Sequence, residues 1–539
     1  MIGTGVGGAT LGYALAKAGK SVLFCEKGRA GFGKDDTLRG DYAETFVAAH
    51  ETPSIESRDI LKRAGRFVDE IHDTSHATPR SFIPFIGSGT GGSSALYGMA
   101  LERFSPSDFN PRQHHPDALD STLPDAWPIS YTELAPYYRM AEQLYRVKSS
   151  GDASNQTAGA EAAGHAPPLS AAAQELSDFM AGKGLHPYRL PLACEYVNGC
   201  AGCQGYLCAK ECKNDSARTC LAPALSRYGA RLIDDCNVVR LVADERNASA
   251  VVCVSRGREY VLKAETIVLA AGALATPALL LSSANSCWPT GLANRSGLVG
   301  RNLMRHCIDL YAVFSKAKPC PNGNSKELAL NDFYVTDSEK FGSIQSFGPM
   351  PPATMLVQSL QQELGEERGR WAAALFAPLK PLARGVLHRL FSRTLVLAAV
   401  MEDLPYADNR VTVRKKNGKD AEIAIYYRLH RHERARVDRF RAQVRNALEP
   451  YRFLLLKQAE NNQRLAHVCG TCRFGNDPRE SVLDANNRAH GVDNLYVIDG
   501  SFFPSSGGTN PALTIAANAL RVAAHLGGHR ASPGGQYDA

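Results

Sequence analysis

The sequence predicts an α/β fold in which one nucleotide-binding domain is assembled from distant stretches of chain and interrupted by a second unit. Two observations carry this. Three segments of strand, turn and helix character lie far apart along 539 residues, and the stretch between the last two has a different texture. A prior of roughly 150 residues per domain gives three or four units, and with discontinuous assembly two is equally plausible.

The first segment is Gly3-x-Gly5-x-x-Gly8, then a helix-compatible stretch, 9–18, and a strand, 21–26. The second is a β-branched and apolar strand, 266–269, entering Ala270-Ala271-Gly272-Ala273, with a helix expected from about Pro277. The third is a strand and turn, 494–500, followed by a loop and a helix from Pro511 to about Leu526. Proline costs no hydrogen bond in a first helical turn, so Asn510-Pro511 reads as a helix start. From about 310 to 465 the chain alternates short strand-like pieces, 410–413 and 422–427, with a charge-rich helical run, 432–458. That stretch reads as an inserted substrate domain. Residues 150–173, rich in Ser, Gly, Ala and Asn, read as a loop or linker.

Composition narrows the function. With 44% hydrophobic and 21% charged residues this is ordinary soluble globular protein. A net charge of +7, with no basic run interleaved with aromatics, argues against nucleic acid. No stretch approaches the roughly 20 apolar residues of a spanning helix; 394–401 is among the longer runs. The chain opens on a glycine turn instead of a basic, apolar leader. Its 14 cysteines then read as free thiols or a metal site, and a cytoplasmic location is expected.

Three glycines at the first spacing allow a tight turn, bring backbone N–H groups against a pyrophosphate, and let helix pack on strand. Glu26, ending the second strand, stands where a carboxylate accepts ribose hydroxyls. A Rossmann-type dinucleotide site is the reading. Only Met1 and Ile2 precede the turn, where a buried strand needs about five residues. A longer natural start is expected, with weaker nucleotide binding for the chain as written.

Further motifs occur in order. They are Gly91-Gly92-Ser93-Ser94-Ala95-Leu96-Tyr97-Gly98-Met99, Gly272-Ala273 with Thr276-Pro277, Gly300-Arg301-Asn302-Leu303-Met304, and a tail from His467-x-x-Gly470-Thr471 to Asn510-Pro511. Together with the glycine turn they resemble the glucose–methanol–choline (GMC) family of FAD-dependent oxidoreductases across nearly the whole chain. The resemblance implies an FAD-binding domain from 1–309, including a Cys-rich loop at 194–220, and from 466–539. It implies an α+β substrate-binding domain with a mostly antiparallel sheet from 310–465.

By the same resemblance Gly3, Gly5 and Gly8 face the pyrophosphate and Glu26 the adenosine ribose. Gly91, Gly92 and Ser93 pass beside the flavin, Val238 meets the adenine, and Gly272 belongs to the second cofactor turn. Asp499 and Gly500 lie near the pyrophosphate and ribityl chain, with Asn510, Pro511 and Thr514 at the isoalloxazine. Tyr97 stands where many members have Asn. No His occurs between Gly87 and Met99, so FAD is expected to be non-covalent.

Oxidising an alcohol requires removing a hydroxyl proton while a hydride leaves the adjacent carbon. A neutral imidazole, with an unperturbed pKa near 6.5, suits the first task. His467 occupies the family's base position, and Asn510 its partner's, as in the cholesterol-oxidase-like branch; Asn510 is expected to hydrogen-bond the substrate oxygen. His306 and His490 are read as structural. His467-x-Cys469-x-x-Cys472 is read as flavin-site motif, not metal ligands.

Cys200, Cys203, Cys208 and Cys212 have ligand-like density. They leave three readings open: a metal-free loop, an iron–sulfur cluster, or zinc. Oxygen, a quinone or a cytochrome is the expected electron acceptor. The alternatives carried beside alcohol oxidation are a flavoprotein subunit of an electron-transfer complex with such a cluster, and a non-redox lyase on the same scaffold. Finally, 371–393 mixes apolar residues with Lys380, Arg384, His388, Arg389 and Arg393. Pro378 and Pro381 argue against one continuous helix. A lid or core packing is preferred there, with peripheral membrane contact left open.

Overall fold

The computed structural model describes residues 1–29, 31, 37–47, 54–149, 166–317, 326–337, 339–416, 420–465 and 467–528. Most of the expected linker at 150–173 lies outside these; its last residues already begin the helix Ala171–Gly182.

The glycine turn leads into the helix Val6–Lys17, which packs on the strand Leu23–Cys25. A Cβ at Gly12 would meet the Phe24 ring at 2.3 Å, so the absent side chain sets how closely helix and strand approach. Leu23–Cys25 pairs in parallel with Arg231–Ile233, and Ile267–Leu269 pairs in parallel with Leu495–Val497. Ile2 fills the gap between the two pairs, bridging Cys25 on one side and Leu269 on the other. The short start therefore still supplies the central strand position, with a single paired residue. This is a discontinuous Rossmann-type α/β domain.

Behind it the helix Ala512–Leu526 packs against Val6–Lys17 and Tyr131–Leu144. Leu513, Ala516, Ala517, Leu520 and Val522 are buried on its inner face. Each large one contributes roughly 1.5–3 kcal/mol.

The second layer is a six-stranded antiparallel sheet in the order Phe453–Leu456, Cys307–Val313, Leu395–Met401, Gly342–Ser346, Leu328–Leu330 and Tyr188–Arg189. Leu395–Met401 is buried at every position. That continuous apolar run is the signature of a strand covered on both faces. Arg410–Lys416 and Asp420–Tyr426 join Ile71–Asp73 and Arg80–Phe82 in a smaller sheet.

Three expected boundaries move. The second helix begins at Gly272, not near Pro277, and carries the proline inside its first turns. The charge-rich helix spans Arg431–Leu448 and stops well short of 458. There Glu449 turns extended, as a residue ahead of proline prefers, and the chain continues as a strand. From Arg370 to Phe391 the chain stays helical through Pro378 and Pro381, tightening to a 3₁₀ turn at Ala377–Leu379. Core packing is excluded for Lys380–Phe391, which buries no residue.

The two layers are joined by charge. Lys340 Nζ lies 2.6 Å from Asp108 and 2.9 Å from Glu402, and all three side chains are fully buried. His115 meets the same Glu402 oxygen at 2.9 Å. Tyr334 donates to Asp108 (2.7 Å) and accepts from the Gly508 N–H (2.9 Å), which hangs the loop before Asn510 on this network. Removing the one ammonium strands two carboxylates in a dry interior. Lys340→Met should cost about 3–5 kcal/mol, read as a lower urea midpoint.

Candidate active site

The fingerprint turn forms a cradle. Gly3 has φ 98°, and a Cβ there would sit 2.3 Å from the Ala270 carbonyl, so only glycine fits. At Gly5 a Cβ would meet nothing within 4 Å, so the turn faces open space. The first intrahelical bond is Ala9 N–H to Gly5 O, which leaves the N–H groups of Val6, Gly7 and Gly8 pointing out of the helix start. Free donors at a helix N-terminus beside an open space fit a pyrophosphate.

The other expected cofactor residues gather around that turn. A Cβ at Gly92 would come 3.1 Å from Gly5 Cα, so the turn at Gly91–Gly92 lies across the fingerprint. Ser93 accepts from the Gly87 N–H at 3.1 Å. Asp499 accepts from the Gly272 N–H (2.8 Å) and Thr276 (2.5 Å), joining the second turn to the third. Gly500 O accepts from the Gly470 N–H (3.1 Å), which brings the His467 loop to the same place. Val238 lies farther off, half-buried beside Cys25 and Cys236.

Two residues are more engaged than expected. Glu26 takes bonds from Thr4 N–H (2.9 Å), Thr4 Oγ1 (2.7 Å), Gly28 N–H (3.1 Å) and Gly89 N–H (3.1 Å). Those four donors fill the acceptor sites of a carboxylate, so ribose hydroxyls would have to share or displace them. The Thr514 hydroxyl is paired with Tyr138 at 2.7 Å, leaving its backbone, in the first turn after Pro511, to face the site. Tyr97 donates to the Asn214 carbonyl at 2.6 Å.

His467 and Asn510 meet, with Nε2 and Nδ2 3.4 Å apart. The Asn510 carbonyl accepts from Gln345 at 2.9 Å, which turns its NH₂ toward the imidazole. A residue read as structural stands behind the pair. Met304 and Cys469 pair antiparallel, and that register sets His306 opposite His467 with their Nδ1 atoms 2.7 Å apart.

The far nitrogen of His306 faces two carbonyls, Ser506 O at 3.2 Å and Gly507 O at 3.0 Å. Carbonyls only accept, so His306 carries its proton on Nε2 and accepts on Nδ1. His467 must then donate from Nδ1, and its Nε2 keeps a lone pair turned to Asn510. Sequence reasoning missed His306. The signal was a histidine two residues beyond a motif that pairs with the His467 segment.

Electrostatics keeps both rings neutral. Burial pushes His306 down to about 4. Burial, then the repulsion that would arise if both imidazoles were protonated, then the charge of Lys326, holds His467 well below the ordinary 6.5. Lys326 is itself lowered to about 8 by burial, with no carboxylate among the causes. Its stem runs between Gly98 and Gly348, where added Cβ atoms would meet it at 3.1 and 3.2 Å. His467 also adopts φ 58°, a backbone region that non-glycine residues rarely visit.

Five thiols, Cys194, Cys200, Cys203, Cys208 and Cys212, pack with Met99, Leu190 and Leu192. Cys194 and Cys200 Sγ are 3.7 Å apart. Among the described residues no three His, Cys, Asp or Glu side chains come together as metal ligands would.

A family model described as GMC oxidoreductase matches residues 58–308 and 405–519 in its N- and C-terminal parts. A 6'''-hydroxyparomomycin C oxidase of Streptomyces lividus is 29% identical, over 99% of this chain and 92% of that protein. A 2-methyl-1,2-propanediol dehydrogenase of Mycolicibacterium austroafricanum is 26% identical, over 98% of this chain and 94% of that protein. The crystal structure of pyridoxine 4-oxidase from Mesorbium loti shares the fold with a TM-score of 0.62, at 19% identity, over 98% of this chain and 99% of that one.

The imidazole environment makes a directional prediction. In a histidine NMR titration His467 should stay neutral until the pH is well under 6.5. Lys326→Met removes the repelling cation, so protonation of His467 should then begin at a higher pH.

Proposed function

This chain belongs to the GMC oxidoreductase family, and we propose that it oxidises the CH–OH group of a small-molecule alcohol to a carbonyl with non-covalently bound FAD. The observation that carries the reading is the Nε2 lone pair of His467, turned toward Asn510, in a segment that the Gly470 N–H ties to Gly500 O. Relatives named as oxidases and dehydrogenases of alcohols and sugars support it. We assign the FAD-binding part to 1–309 and 466–539, the substrate-binding part to 310–465, and the location to the cytoplasm.

Gly3, Gly5 and Gly8 would hold the pyrophosphate, and the N-terminus of Ala512–Leu526, with Pro511 and Thr514, the ring end. When bound, FAD supplies the acceptor for the hydride. The chain's own part is proton management. The substrate oxygen sits within reach of His467 Nε2 and the Asn510 amide; Asn510 donates to that oxygen, and His467 takes the hydroxyl proton as the carbonyl forms.

His306 fixes the tautomer by accepting from Nδ1, so the reactive lone pair always faces the substrate. Gln345 fixes the Asn510 amide. His467 starts neutral at working pH because its surroundings resist a charge, and the proton it gains must leave before the next turnover. Lys326 brings a positive charge near His467, which favours neutral or anionic alcohols over those bearing an ammonium group.

Electrons pass on to oxygen, a quinone or a cytochrome. Anaerobic mixing with the right alcohol should bleach the flavin absorbance, and admitting air separates oxidase from dehydrogenase behaviour. His467→Ala should slow bleaching roughly 10²–10⁴-fold with FAD retained; unchanged bleaching removes His467 from the mechanism. His306→Ala should lower the bleaching rate with little change in substrate affinity, because it frees the tautomer and leaves the contacts in place.

A further inference from the structure

Between the sheet strands Gly342–Ser346 and Leu395–Met401 the chain leaves the body of the protein as a helical excursion. Ala353–Arg368 leads out, and Arg370–Phe376, Ala377–Leu379 and Lys380–Phe391 follow as one helical run. Within it Trp371, Leu375, Leu379, Leu382 and Val386 are 69, 70, 52, 68 and 57% exposed. They recur every third or fourth residue, so they form a single row along one face. Scattered exposed apolar residues are ordinary, but a continuous row of large ones marks a contact surface.

The charge on this run has one sign. Lys380, Arg384, His388 and Arg389 fall within it, Arg393 follows it, and no Asp or Glu occurs between Glu367 and Glu402. None of these basic side chains has an ion-pair partner among the described residues. On the helix Lys380, Arg384 and His388 line the side away from Leu382 and Val386, with Arg389 beside the row.

We propose that this face docks on an anionic lipid surface, with the apolar row entering the headgroup and acyl boundary and the basic side chains meeting lipid phosphates. A helix with an apolar row on one side, Lys and Arg on its polar side and no acidic residue is matched by a bilayer whose negative charge is continuous. No described helix is long and apolar enough to cross a membrane, so the contact is peripheral.

The protein carries its own reporter. Of three tryptophans, Trp127 and Trp288 are 5 and 1% exposed, so a change in tryptophan emission on adding vesicles reads Trp371. The full FAD-loaded chain would be mixed with phosphatidylcholine vesicles, with and without phosphatidylglycerol. Co-sedimentation with the anionic vesicles, a blue-shifted emission, and weakening by salt are expected. Leu375→Glu with Val386→Glu should weaken binding by roughly tenfold or more, with flavin fluorescence and circular dichroism unchanged.

Lys380→Glu with Arg384→Glu should abolish the preference for phosphatidylglycerol. The proposal is overturned if neither vesicle is bound, or if these variants bind as tightly as the parent. It is equally overturned if the apolar variant only converts a concentration-dependent dimer to monomer.

Discussion

A single ammonium group in a dry interior ties the molecule together. Lys340 comes from the antiparallel layer, Asp108 from the segment after the Gly91–Gly92 turn, and Glu402 from the end of the central strand Leu395–Met401. Burial works against the charge on Glu402, but Lys340 and the hydrogen bond from His115 hold its carboxyl below the usual range. Such an arrangement is weak as net stability, but breaking it by removing one partner leaves the others as uncompensated buried charges. Tyr334 then passes the constraint to Gly508, and Ser343 N–H bonds the Gly508 carbonyl at 2.9 Å. Ser506 completes the clamp by donating to the Asp403 carbonyl at 2.9 Å. The loop carrying Asn510 is positioned by the antiparallel layer, while the helix after it packs in the α/β layer.

Within that frame two histidines divide one task. His306 is buried, neutral and committed to backbone carbonyls, so its remaining lone pair has only one use. His467 inherits a defined tautomer from it and stands half-buried at the cleft. Asn510 brings a donor that never titrates. The combination sets an imidazole lone pair beside a fixed hydrogen-bond donor.

Much of this was legible in the residues. Gly3, Gly5 and Gly8 announce a turn because their spacing has few other physical uses, and Pro511 marks a helix start because proline fits there without loss. The separated segments read correctly as one domain because each keeps the texture of a parallel α/β unit. Helix ends were less legible. Pro277 reads as a start, yet it is tolerated inside a helix whose first residues are small and buried. The helical pattern past Leu448 persists in the composition and not in the backbone, because Pro450 redirects Glu449. His306 was illegible for a different reason: its importance lies in a strand pairing between residues 161 positions apart. The exposure of the Trp371 row is likewise a property of what fails to pack on it.

The pairing of Met304 with Cys469 has a further reach. The two imidazoles face each other only while their spacing from that paired register is kept. Gaining or losing one residue between Asn302 and His306, or between His467 and Gly470, would rotate one imidazole to the opposite side of the ribbon. Substitutions here can be absorbed one at a time, whereas a change of length cannot. These two short stretches are therefore where the chain has least freedom to drift in length.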